Sequence, residues 1–197
     1  AASAAGFFNL LVASMIAVLV AGNSVLFLFA WEGMTLASFF LVVHDDHDPR
    51  SREAGWIYLV VAHVGTACLL AFFMLLGRHN GSLDLLPAAR FPEAFPAGLA
   101  SALFLLALAG FGAKAGLVPL HFWLPEAHPA APSHVSALMS GVMIKTGIYG
   151  IVRALSWLGA PAVWWGWGLI AAGLASGLFG VVFALAQHDL KRLLAYH

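Results

Sequence analysis

The first 43 residues of this chain are almost unbroken apolar sequence, whereas one helix crossing a bilayer needs only about 20. The run must double back, and Ala21-Gly22-Asn23-Ser24 is the natural turn, giving spans near 2–20 and 24–43. The pattern then repeats. A polar loop at 44–53 precedes a span at 54–76, and a loop rich in Pro, Gly and charge at 77–97 precedes a span at 98–120. The three-proline segment HFWLPEAHPAAP (121–132) leads to a span at 133–155, with Ser133 placed to cap its start. SWLGAPA turns into a sixth span at 163–187, and HDLKRLLAYH begins another helix. Lipid offers no partners for unpaired backbone groups, so only helices or closed barrels cross it. These runs lack the alternation of barrel strands. The sequence predicts an all-α fold, a polytopic transmembrane helix bundle of about six spans plus the start of a seventh.

Composition agrees. Hydrophobic residues make up 62% of the chain and charged residues 9%, against about 25% charged in soluble domains. Mean hydropathy is +0.92. Zero net charge and no basic tract remove the electrostatic footing for nucleic-acid binding. The single cysteine, Cys68, excludes an intramolecular disulfide and a thiolate metal site. With alternating sides, Arg50, Arg52, Lys191 and Arg192 fall on one face and Arg78, Arg90 and Arg153 on the other. That bias places the 44–53 loop and the C-terminal segment inside. The chain starts at Ala1 with no basic stretch of the signal-peptide kind and stops partway into a helix, so it reads as the interior piece of a longer protein.

Three charges stand out against this background. Glu32, Lys114 and Lys145 lie within spans, while the other charged residues fall between or at the ends of them. On insertion scales a Lys or Asp at the bilayer centre costs about 2.5–3.5 kcal/mol. Glu32 and Lys145 are central in their spans, and Lys114 precedes Pro119 by five residues. Pro119 removes a backbone hydrogen bond and is expected to break the helix just after Lys114, between Gly116 and Pro119. Broken helices are tolerated in membranes where they face protein or water, and transporters place ion sites there. His63 is central in the third span, as a hydrogen-bonded core histidine or a relay station. Four consecutive spans thus carry Glu, His, Lys and Lys. Burial and an opposite charge move proton affinities in opposing directions, so such a row suits proton movement through internal water. Glu32 and Lys114 are expected to pair directly or through one water. Lys145 has no carboxylate at its depth and is expected to be a buried, unpaired proton station.

Other residues read more simply. His121, His128 and His134 follow no zinc spacing, and only His63 lies where a haem ligand would, so no metal and no cofactor is expected. Trp164, Trp165 and Trp167 read as an interfacial aromatic belt, and Arg153 as a side chain reaching the interface. Gly173 and Gly177 form a GxxxG spacing that suits helix contact.

The stretch 110–150, GFGAKAGLVPLHFWLPEAHPAAPSHVSALMSGVMIKTGIYG, resembles the antiporter-like membrane subunits of respiratory complex I, of the multi-subunit sodium-type antiporters and of group 4 hydrogenases. FAWEGMTLASFFLV (29–42) and ALAQHDLKRLLAYH (184–197) carry the same resemblance, and the wording is most similar to the hydrogenase-4 and formate hydrogenlyase branch. The resemblance implies a fourteen-helix fold with two inverted five-helix repeats, each holding a broken helix. Residues 1–155 would form one repeat and 163–197 the start of the second, as a single membrane domain. It maps the family's helix-five Glu onto Glu32, its broken-helix Lys onto Lys114 and its helix-eight Lys onto Lys145. Ser140 stands where several complex I paralogues carry His, which leaves that family proton station in doubt here.

The reading that follows is a proton-translocating membrane subunit of a hydrogenase- or quinone-linked complex in a bacterial or archaeal cell membrane. Its partners would be the lipid bilayer, other membrane subunits and, indirectly, peripheral redox subunits that perform the electron transfer. A sodium/proton antiporter or NADH:quinone oxidoreductase subunit is the alternative, although a sodium site favours a cage of carboxylates and carbonyls. A retinal-type protein with a Schiff base on Lys145 fits two lysines, one Glu and the three-proline loop poorly. A structural anchor would leave three buried charges unexplained.

Overall fold

The computed structural model describes residues 2–90 and 95–196. Helices α1 (Ala2–Val20) and α2 (Ser24–Val42) are joined at the expected turn, where the Asn23 side chain accepts the Leu26 N–H at 2.8 Å and caps α2. Helix α3 runs from Pro49 to Asn80. It is longer than the expected 54–76 because Asp48 caps its start, with Pro49 in the first turn, and Gly81 ends it in the left-handed region. The next loop was expected over 77–97, of which 91–94 lie outside the described residues. Its 83–85 segment hydrogen-bonds back to the α1–α2 turn, with Ser24 N–H to Leu83 O at 2.8 Å and Leu85 N–H to Gly22 O at 2.9 Å.

Helix α4 (Ala97–Ala115) stops short of the expected 120. The three-proline segment holds a short helix, α5 (Leu124–Ala130), where a loop was expected. The fifth span is α6 (Ser133–Leu138), a π-helical turn over Met139–Met143, and α7 (Ile144–Leu158). Pro132 rather than Ser133 occupies its N-cap position, with no side-chain cap bond. Helix α8 (Val163–Leu185) and α9 (Leu190–Tyr196) complete the chain. Among the described residues six helices are long and apolar enough to cross a membrane, as the runs of apolar sequence predict.

Aromatic side chains fill the centre of the bundle. Phe27 stacks on Trp31 with centroids 5.6 Å apart, and Phe111 meets Trp31 edge-on at 5.4 Å. Trp157 closes the cluster against Phe73 at 5.6 Å. Trp165 departs from the expected belt: it is buried and lies parallel to Phe104 at 4.7 Å, while Trp164 and Trp167 are exposed. The Arg153 guanidinium lies over the Trp157 ring at 5.3 Å and is half-buried. Among the described residues nothing lies within 4 Å of a Cβ placed at Gly173 or Gly177, so their spacing marks no contact there.

Candidate functional site

Lys114 is in the last turn of α4, and the chain turns away immediately beyond it. Gly116 takes φ +73°, Leu117 N–H bonds Gly112 O at 3.0 Å and Gly116 N–H bonds Ala113 O at 3.4 Å. These two bonds form a Schellman stop, in which a glycine without Cβ adopts the left-handed conformation. The helix therefore ends at Ala115, four residues before Pro119, and the stop is made at Gly116. The freed backbone groups find partners. Trp123 Nε1–H donates to Ala113 O at 2.8 Å, and Ser176 of α8 accepts the Val118 N–H at 3.0 Å.

This geometry leaves a buried cation at a helix C-terminus, where the backbone dipole favours it. Lys114 is 3% exposed. Its ammonium donates to Tyr58 OH at 2.7 Å and to Thr35 Oγ1 at 3.0 Å. It also lies 5.0 Å from the Tyr58 ring centroid and 5.9 Å from that of Trp31, within range of a cation–π attraction. Thr35 in turn donates to Trp31 O at 3.1 Å, and Tyr58 OH lies 2.5 Å from Ser38 Oγ. Trp31, Thr35 and Ser38 recur at helical spacing, so one stripe of α2 forms the wall that faces Lys114.

The expected direct pair between Glu32 and Lys114 is not formed. Glu32 follows Trp31 by one residue and is turned about 100° round the helix from it, toward α3. There its Oε2 lies 3.6 Å from His63 Nε2, while Oε1 is buried without a hydrogen-bond partner. The His63 ring bonds Leu59 O through Nδ1 at 2.9 Å. A carbonyl only accepts, so Nδ1 carries a hydrogen and a neutral ring turns a lone pair on Nε2 toward the carboxylate. The contact is favourable only when one of the two groups holds an additional proton. The His63 side chain is 51% exposed and that of Glu32 28%, so the pair lies on the flank of the bundle and not in its core.

Lys145 also differs from expectation, since its side chain is exposed in this chain. At the π-helical turn Ile144 N–H reaches back to Met139 O, and the Lys145 ammonium donates to Ser140 O at 2.9 Å. Such turns recur at functional sites. Lys145 opens into a cleft of about 510 Å³ shared with His128, Lys191, Ser136 and Ser140. His128 is buried and bonds Ser136 Oγ through Nδ1 at 2.9 Å. Burial, and then the nearby Lys191 cation, push its imidazole down to about 4, so it is neutral at physiological pH. Lys191 donates to Ala131 O at 2.9 Å, and Arg192 pairs with Glu126 at 3.0 Å, which ties α9 to α5.

Residues 21–197 match the family described as NADH:quinone oxidoreductase/Mrp antiporter, transmembrane. The chain belongs to this family. It is 51% identical to hydrogenase-4 component B of Escherichia coli K12 over 99% of its length, and 36% identical to formate hydrogenlyase subunit 3 of the same organism over 96%. It covers 29% and 30% of those two proteins, so the chain spans under a third of the length of either. A chain of the Mrp complex from Dietzia sp. DQ12-45-1b superposes on 97% of it with a TM-score of 0.87 at 31% identity, over 21% of that chain. The resemblance to the complex I, Mrp and group 4 hydrogenase subunits and the polytopic membrane fold are thereby borne out.

Within this antiporter-family chain, sequence reading singled out Lys114 and missed what holds it. Thr35, Ser38 and Tyr58 are uncharged and were absorbed into the apolar count of their spans. A signal was present in the run Trp31, Thr35, Ser38, where polar hydroxyls recur on one helix face inside an otherwise apolar span.

Proposed function

We propose that this chain is the proton-conducting part of a membrane subunit in a hydrogenase- or quinone-linked respiratory complex. It conducts through Glu32 with His63, Lys114 and Lys145, residues 1–155 forming one five-helix repeat and 163–197 opening the second. Other membrane subunits adjoin it, and redox chemistry takes place in subunits it meets indirectly. One observation carries the reading: among the described residues Lys114 is a buried amine with no carboxylate beside it. Two neutral hydroxyls, two aromatic faces and a helix end hold its cation. Hydrogen bonds to neutral acceptors are roughly half as strong as those to ionised ones, so no fixed ion pair locks the Lys114 ammonium in place. Lys114 and Lys145 sit on α4 and α7, which meet where Gly147 rests on the backbone at Phe111 and Ala115.

In the assembled complex, Lys114→Met is expected to reduce proton translocation to background while donor oxidation and assembly are retained. Methionine refills the space with apolar atoms and leaves no uncompensated buried charge behind, and the Thr35 and Tyr58 hydroxyls keep their bonds to Trp31 O and Ser38. Acidification of inverted membrane vesicles, normalised to the amount of complex, measures it. Translocation at the wild-type rate would overturn the reading.

A further inference from the structure

We propose that the hydroxyl of Tyr58, with that of Ser38, is the link that carries protons between Lys114 and a charged cleft on the face of the 44–53 loop. The inference rests on Lys114 being a proton station and identifies the residues that connect it to water.

The cleft is open and has a volume of about 780 Å³. Segments 48–54, 126–130 and 186–192 form its walls, so three connecting segments meet on one face of the bundle. Asp48, Glu53, Glu126 and Asp189 line it together with Arg50 and Arg192, and charged walls of this kind hold water. Ser51 and Ala54 of α3 also line it. Ser51, Ala54, Gly55 and Tyr58 form the buried stripe of α3 at that end, so Tyr58 follows Ala54 by one turn, about 6 Å along the axis. On this stripe only the small residues Ala54 and Gly55 lie between Ser51, at the cleft, and Tyr58.

Tyr58 is 1% exposed, and Ser38 and Thr35 are wholly buried. A buried phenol among apolar helices needs one partner for its hydroxyl; this one has a donor in Lys114 at 2.7 Å and a second hydroxyl in Ser38 at 2.5 Å. The donors run in one direction. Lys114 has no acceptor capacity, so Tyr58 accepts from it and its own hydrogen can go to Ser38 Oγ at 2.5 Å or to the weaker, longer acceptor Met143 Sδ at 3.9 Å. The Ser38 hydroxyl in turn reaches Met34 O at 2.7 Å and Thr35 O at 2.9 Å. Thr35 is a branch that ends on the backbone, because its hydrogen is committed to Trp31 O.

The transfer conserves charge. An N–H bond of the Lys114 ammonium breaks as an O–H bond forms on Tyr58. The hydrogen Tyr58 already held passes to Ser38, and the Ser38 hydrogen leaves Met34 O for water entering from the cleft. Both hydroxyls are neutral at the start and the end, Lys114 is left as the amine, and one proton has reached water. The reverse sequence reloads the lysine.

The test uses the full-length subunit in its assembled complex, with translocation and donor oxidation followed in the same vesicles. Tyr58→Phe retains the ring against Trp123 and Lys114 and removes only the oxygen. It is expected to lower translocation by about tenfold or more, the scale on which a positioned proton carrier acts. Ser38→Ala, which leaves every contact of Lys114 in place, is expected to lower it as well. Translocation at the wild-type level in Tyr58→Phe, with Lys114→Met inactive, overturns the relay and leaves the function reading intact. A silent Ser38→Ala beside an impaired Tyr58→Phe also overturns it, because Tyr58 then only seats the lysine. Wild-type translocation by Lys114→Met sinks the function reading itself. Should Tyr58→Phe fail to assemble, Ala54→Cys in a background with native cysteines replaced by serine gives a second measurement. Ala54 is 3% exposed but lines the cleft, so if water enters there a small, charged thiol reagent added from the cleft side is expected to label the cysteine and stop translocation. A thiol that stays unlabelled, or a labelled complex translocating at its former rate, overturns the proposal.

Discussion

Proton translocation by a complex carrying Lys145→Ala is expected to fall to background while the complex assembles in normal amount. The Lys145 ammonium makes one protein hydrogen bond among the described residues, to the carbonyl of Ser140, and its side chain is exposed to the cleft it shares with His128 and Lys191. Removing a side chain so placed releases no packed neighbour, and exposed substitutions generally change stability by within about 0.5 kcal/mol. What it removes is a titratable amine at a π-helical turn, one helix away from Lys114. A structural lysine predicts the reverse, loss of the complex through loss of a required contact. Translocation in vesicles, divided by the assembled complex seen on a native gel, separates the two, and wild-type pumping would make the residue a bystander.

Gly147→Leu is expected to leave no assembled subunit. A Cβ at Gly147 would lie 2.6 Å from Phe111 O, 2.6 Å from Ala115 N and 2.9 Å from Ala115 Cβ. Two of those atoms are backbone, so no side-chain rotation relieves the clash. One turn further, Gly150 rests on the Phe111 ring. A side chain at 147 has to push α7 off the last turn of α4, the turn that carries Lys114. Overpacking typically costs about 1–3 kcal/mol, and a backbone contact lies at or above the top of that range. Gly147→Ala is expected to assemble at reduced yield and melt earlier. Thermal unfolding of the solubilised complex measures both; an alanine variant with the wild-type midpoint would show that the helices do not approach this closely.

The architecture was legible because lipid narrows the choices. Six apolar runs separated by turns can only be helices once barrel alternation is missing, and the turn at 21–24 lies where the chain folds back. The break after Lys114 was legible too, in the interval from Gly116 to Pro119, although the physical reason given for it rested on the proline alone. Pro119 is the louder signal, but a glycine able to adopt the left-handed conformation stops a helix before the proline is reached. Element ends were less legible. Asp48 extends α3 through residues that read as loop, and α5 forms across Pro125 and Pro129 because tertiary contacts from Lys191, Arg192 and Trp123 hold that segment.

By itself the sequence determined that this chain is a helical membrane bundle with one titratable group in each of four successive spans, since charge in lipid is too costly to be incidental. Which groups meet was decided only by the tertiary structure. Adjacent residues on a helix point about 100° apart, so Trp31 and Thr35 face Lys114 while Glu32, next to Trp31, turns to His63. The hydroxyls of Tyr58 and Ser38 are ordinary residues in their own spans. They become partners of a buried amine because α2, α3 and the broken end of α4 converge there, a consequence of packing that no local pattern encodes.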